Sequence, residues 1–107
     1  MLKLLRHPNI IELELILPPE DREFRDVYIL FELMDADLST VLRSPQALSN
    51  DHYRYFMVQL LHALAFLHAS SVIHRDIKPK NVLVNSNCTL KVSLKHFDGF
   101  MCETLLL

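Results

Sequence analysis

The segment from Ser49 to Leu67 constrains this chain most. Ser49-Asn50-Asp51 offers a side-chain oxygen to cap a helix and acidic charge for its first turn. Phe56, Leu60, Ala63, Leu64 and Leu67 then recur on one helical stripe, while Met57, Leu61 and Phe66 occupy other sides. A helix apolar on most sides has to lie centrally in a packed body. With 107 residues, 50% of them hydrophobic, the chain allows one small domain at most. Its positive mean hydropathy is high for a body of that size, whose surface must largely face water. The expectation is a core piece of a larger structure.

The flanking patterns are strand-like. Residues 10–17 place Ile11, Leu13, Leu15 and Leu17 on one face and Glu12 and Glu14 on the other, the alternation of a strand. His7-Pro8-Asn9 precedes it and ends a helix-like stretch at residues 1–6, because proline pushes its predecessor out of the α region. Pro18-Pro19 and a charged run to Asp26 form a loop. Val27 to Leu33 is a nearly continuous apolar run, as in a buried strand. These two strands can pair antiparallel. A short helix is expected over about 37–43. After the long helix come Val72-Ile73, a polar loop at 74–81, Val82-Leu83-Val84, a turn at 85–87 and an alternating piece from Thr89 to Val92. The fold class is α+β.

Several function classes are excluded. A net charge of −2 gives no basic face for nucleic acid. The single glycine, Gly99, rules out a glycine-rich phosphate cradle within these residues. Cys88 and Cys102 are too few and too far apart for a Cys-x-x-Cys site, so a reducing compartment is expected. The start is too charged for a signal peptide, and the longest apolar stretch, Val58 to Leu67, is too short to span a bilayer. Among six histidines, His62 and His68 are six apart and do not share a helix face, which argues against a histidine metal site.

The chemistry concentrates in His74-Arg75-Asp76-Ile77-Lys78-Pro79-Lys80-Asn81. The string fits H-R-D-L-x-x-x-N with Ile for Leu. At background residue frequencies a chain this short would contain it by chance less than about once in ten thousand. Phosphoryl transfer asks a protein for positioning and charge stabilisation. A carboxylate such as Asp76 can orient a substrate hydroxyl and accept its proton. Lys78, two residues on, can meet the transferring phosphoryl group as a point charge. The amide oxygen of Asn81 suits Mg²⁺, a hard cation. Pro79 stiffens the loop. Arg75 either holds the loop by hydrogen bonding or receives an activating phosphate. His74 is expected to be packed and structural.

On these residues the chain resembles the eukaryotic protein kinases, and within them the mitogen-activated protein kinases. Leu5-Arg6-His7-Pro8-Asn9-Ile10 is similar to the end of the family's helix C leading into its fourth strand. Asp26 to Met34 is similar to the fifth strand entering the hinge, Asp37-Leu38 to the start of helix D, and Leu48 to His68 to helix E. Asn81-Val82-Leu83 closes the catalytic loop and enters the seventh strand. The resemblance covers about residues 4–93 and implies a piece of the bilobal kinase fold. It implies a partial N-lobe at 1–34, a partial C-lobe at 35–93 that reaches the eighth strand, and a non-family tail at 94–107.

The resemblance also implies roles. Asp76 is the catalytic base, Lys78 the phosphate contact and Asn81 a Mg²⁺ ligand. Phe31 is the gatekeeper at the back of the adenine pocket, and Glu32 and Met34 offer backbone groups to adenine, with side chains of little consequence. Asp37 lies near the ribose and Leu83 packs under the adenine ring. Val41, Leu48, His52 and Tyr55 correspond to the groove where the family docks short linear peptides. The Lys-Pro pair after Asp76-Ile77 is the form of serine/threonine-directed kinases. The implied cofactors are ATP and Mg²⁺. The implied partners are protein substrates and docking peptides of a signalling cascade, with no nucleic acid and no membrane, in the cytoplasm or nucleus.

The pattern departs from the family after Ser93. Asp-Phe-Gly is expected there, but the chain reads Leu94-Lys95-His96-Phe97-Asp98-Gly99, and Asp98 is not assigned the metal role. The glycine-rich loop, its partner lysine and the helix C glutamate do not occur in the sequence, so a truncated, misspliced or partial product is expected, inactive alone. The rival expectation is a non-catalytic interaction fragment that keeps the docking helices.

Overall fold

The computed structural model describes residues 6–17 and 28–94. The expected helix end at residues 1–6, save for Arg6, the loop from Pro18 to Asp26, Asp98 and Cys102 lie outside them. Strand β1 (Leu13–Leu17) pairs antiparallel with β2 (Tyr28–Phe31), as the two apolar patterns suggest, with a register irregularity between Leu13 and Leu15. The ladder ends earlier than the Val27–Leu33 run implies. Glu32 turns its carboxylate inward toward Lys91, and by the alternation of extended chain its neighbour faces the other way. Leu33 is 95% exposed, not the buried end of a strand.

A second sheet has the order β3-β4-β5, all antiparallel: Ala36–Asp37, Val82–Val84 and Leu90–Val92. The two residues of β3 carry no strand signature. They pair with Val84 and Leu83 because the chain is held on both sides of the adjoining turn: Asp35 N–H donates to Asn85 Oδ1 at 2.9 Å, and Ser86 N–H to Asp35 Oδ2 at 2.8 Å. Backbone bonds from Ile11 N–H to the Val92 carbonyl (3.0 Å) and from Val92 N–H to the Asn9 carbonyl (2.8 Å) tie the two sheets together.

Helix α1 (Leu38–Arg43) is capped by Asp37, whose Oδ1 accepts from Thr40 N–H at 2.7 Å. Helix α2 (Asn50–Ala69) starts at Ser49, the expected cap, in a reciprocal box. Ser49 Oγ accepts from His52 N–H, and His52 Nδ1 accepts from Ser49 N–H at 3.0 Å. At its other end Ser71 N–H reaches the His68 carbonyl and Val72 N–H the Leu67 carbonyl, with Ser71 at φ 61°. This is the left-handed cap that glycine usually fills.

The buried face of α2 is Phe56, Gln59, Ala63 and Leu67. Ala63 and Leu67 pack with Ile10, Val72, Val92 and Leu94, and Phe56 packs with Val82, Val84 and Leu90. The helix thus lies across β4 and β5 and buries a core on each side of Gln59. Leu60 and Leu64 are half-buried, while Met57 and Leu61 are exposed. No helix among the described residues is long and apolar enough to cross a membrane.

Candidate active site

The polar loop hangs between α2 and β4, and its shape follows from His74. His74 is 5% exposed, packed as expected. Its Nε2 lies 2.7 Å from the Ser93 carbonyl, and its Nδ1 accepts from Asp76 N–H at 3.2 Å. A carbonyl partner at Nε2 and a donor at Nδ1 select the neutral ring with the proton on Nε2. One imidazole thus pins the loop to the strand end after β5. Between His74 and Asp76 the chain reverses at Arg75, whose φ of 70° lies in the left-handed region. A non-glycine residue there costs about 1–2 kcal/mol, and such strain persists where surrounding bonds over-determine it.

Asn81 fixes the loop from its far end. It is 3% exposed and closes the 3₁₀ turn Pro79–Asn81. Its Nδ2 donates to the Asp76 carbonyl and to Asp76 Oδ2, both at 2.9 Å. Its N–H reaches the Lys78 carbonyl (2.9 Å), and its carbonyl accepts from Ser93 N–H (2.8 Å). Asp76 Oδ2 is therefore occupied, while Oδ1 faces Lys78 Nζ at 3.5 Å. The sequence expectation grouped these three side chains, and the fold brings them together. Turning the amide nitrogen to Asp76 leaves Asn81 Oδ1 as the hard oxygen a divalent cation would take, so this residue fits Mg²⁺ chemistry. Among the described residues no cluster of three His, Cys, Asp or Glu forms a ready-made metal cage.

The expected adenine segment is placed differently in detail. Phe31 ends β2 half-buried, and Met34 is buried. Asp37 and Leu83 lie opposite each other in the β3–β4 register, but the Asp37 carboxylate caps α1. Its backbone bond from Thr40 holds it below the ordinary carboxylate range. The Glu32 side chain, read as inconsequential, is the correction here. Both its oxygens meet Lys91 Nζ at 2.8 Å, and Oε1 also accepts from Glu12 N–H at 2.9 Å. Burial pushes this carboxyl up, yet the Lys91 and Glu12 hydrogen bonds and the Lys91 charge together bring it below its usual value. Glu32 joins the residue before β1 to β5 across the junction of the sheets. No sequence signal marks this, since Lys91 is 59 residues away.

A groove of about 480 Å³ lies apart from the Asp76 loop, lined by Val41, Leu48, His52, Phe56 and Cys88 among others, with Asp35 beside them. Three of the four residues expected there contribute. Tyr55 does not line it and is 50% exposed. Phe56 and Cys88 were missed, because one belongs equally to the core stripe and the other sits on a distant turn.

The protein kinase domain profile matches residues 1–97. The chain is 53% identical over 93 residues to mitogen-activated protein kinase 12 of Oryza sativa subsp. japonica, a match covering 86% of the chain and 16% of that protein. It is 52% identical to mitogen-activated protein kinase 9 and 50% to mitogen-activated protein kinase 20 of Arabidopsis thaliana, again over 86% of the chain but 18% and 15% of those proteins. It thus spans less than a fifth of the length of these relatives. The chain belongs to the protein kinase family, as an α+β piece of that fold similar to these mitogen-activated protein kinases.

Proposed function

We propose that these residues form the catalytic loop and the docking groove of a mitogen-activated-type serine/threonine protein kinase, which transfers a phosphoryl group from ATP to a protein hydroxyl. The observation that carries this is the Asp76–Asn81–Lys78 arrangement. Asp76 Oδ1, the oxygen not held by Asn81, takes the proton of a Ser or Thr hydroxyl. The hydroxyl oxygen then bonds to the γ-phosphorus as the bridging bond to ADP breaks. Lys78 offers its charge to the moving phosphoryl oxygens, and Asn81 keeps the Asp76 carboxylate aimed. When bound, Mg²⁺ would neutralise developing phosphate charge, with Asn81 among its holders. The backbone of Glu32 and Met34, the Phe31 and Leu83 side chains and Asp37 would receive adenine and ribose.

These 107 residues contain no glycine-rich loop, and Lys78 alone is a weak phosphate clamp, so the chain by itself is expected to transfer no phosphate. A second reading, a non-catalytic interaction module, is favoured by a groove whose lining lies wholly within the chain. The test is a chimera in which this chain's 93-residue stretch replaces its counterpart in the rice kinase. Radiolabel from γ-labelled ATP should enter a protein substrate, falling about 10²–10⁴-fold on Asp76→Asn. A folded chimera that binds peptides but transfers nothing would favour the interaction module.

A further inference from the structure

Gln59 interrupts the apolar stretch of α2, yet it is 6% exposed and uses its full hydrogen-bonding capacity. Its Oε1 accepts from Asn9 Nδ2 at 3.1 Å and from Leu90 N–H at 2.9 Å. Its Nε2 donates to the Cys88 carbonyl at 2.9 Å and the Tyr55 carbonyl at 3.3 Å. Asn9, 8% exposed, adds a bond from Nδ2 to the Leu90 carbonyl at 2.9 Å. One amide thus gathers the turn before β1, helix α2 and the β4–β5 connection. Cys88, whose φ is 69°, is a wall of the groove, and Phe56, one turn before Gln59, is another. A core requirement alone would be met by leucine. Four satisfied bonds at one buried point instead fix where the Cys88 wall stands.

We propose that Gln59 is a positioning residue for the groove, setting the Cys88 wall against Phe56 and anchoring it through Asn9. This rests on the docking reading above. Because Asn9 lines no part of the groove, its removal should weaken docking only through Gln59.

The probe is a fluorescein-labelled linear decapeptide with an Arg pair followed by two leucines, suited to the apolar lining and the Asp35 carboxylate. Binding to the full chain is read by anisotropy. Gln59→Glu keeps size and the acceptor face but turns a carboxylate on the Cys88 and Tyr55 carbonyls. It should weaken binding about tenfold, and Asn9→Ser about threefold, as coupled members of one network do. The two effects combined should be less than their product. Leu61→Ala, on the exposed face, should bind as the parent does. If Val41→Ser abolishes binding while Gln59→Glu leaves it unchanged, this inference fails and the docking reading stands. If Val41→Ser has no effect, the docking reading itself fails. Should Gln59→Glu lose its helical circular dichroism, Asn9→Ser decides, and parental affinity in that variant overturns the proposal.

Discussion

Replacing Ser71 by glycine should stabilise the chain. Ser71 follows the end of α2 at φ 61°, and its N–H and that of Val72 close the last helical carbonyls. The Cβ of serine in this region costs about 1–2 kcal/mol relative to glycine. Against that, glycine gives the unfolded chain extra freedom worth about 0.4–1 kcal/mol. Ser71 is exposed and makes no side-chain hydrogen bond that the change would forfeit, so the difference survives at about 0.5–1 kcal/mol. For a domain of this size that is a rise of about 2–8 °C in melting temperature. The measurement is thermal and urea unfolding by circular dichroism, with Ser71→Ala and Ser71→Val beside it. Alanine keeps the Cβ and should melt near the parent, whereas valine adds a branched carbon and should melt lower. A glycine variant no more stable than the alanine variant would refute the reasoning, because the gain comes from removing the Cβ at this φ and from nothing else.

Lys91→Met should cost about 1–2 kcal/mol, between an exposed pair and a buried one, since the two side chains are 19% and 25% exposed. Because the Glu32 carboxyl is held below its ordinary value, its stabilisation is present above that value and lost as pH falls through the lowered one. The acid limb of the urea midpoint should therefore flatten in Lys91→Met. His7 is lowered first by burial and then by His62, and its Nδ1 accepts from Asn9 N–H at 3.0 Å. The neutral ring thus favours folding above its ordinary value of 6.5, and that contribution fades as pH drops through the depressed one. His7→Gln should erase the slope just below pH 6.5 in the same titration. Ser49→Ala removes one half of the α2 capping box and should lower stability by about 1 kcal/mol in urea unfolding.

What the sequence could announce was whatever is written in neighbouring residues. The loop from His74 to Asn81 carries its purpose in eight consecutive positions, and the Ser49 cap and the stripe of α2 follow from local chemistry and a 3.6-residue period. The two-residue strand β3 could not be foreseen, because Ala36 and Asp37 pair only where Asn85 and Ser86 hold Asp35 in place. Leu33 looked like core because an apolar run does not say where its ladder stops. Glu32 and Gln59 were opaque for a shared reason. Each is a polar side chain with partners far along the chain, Cys88 lying 29 residues from Gln59 and Lys91 59 from Glu32, and burial of a polar group is permissible only once such partners arrive. A glutamine in the middle of an apolar helix is thus informative in one direction. If the segment is a core helix, that residue must either face water or be saturated by other segments. In this fold it is saturated by the turn before β1 and by the β4–β5 connection, which carries the Cys88 wall of the groove, so the apparent flaw in the hydrophobic stripe is where the helix meets the rest of the molecule.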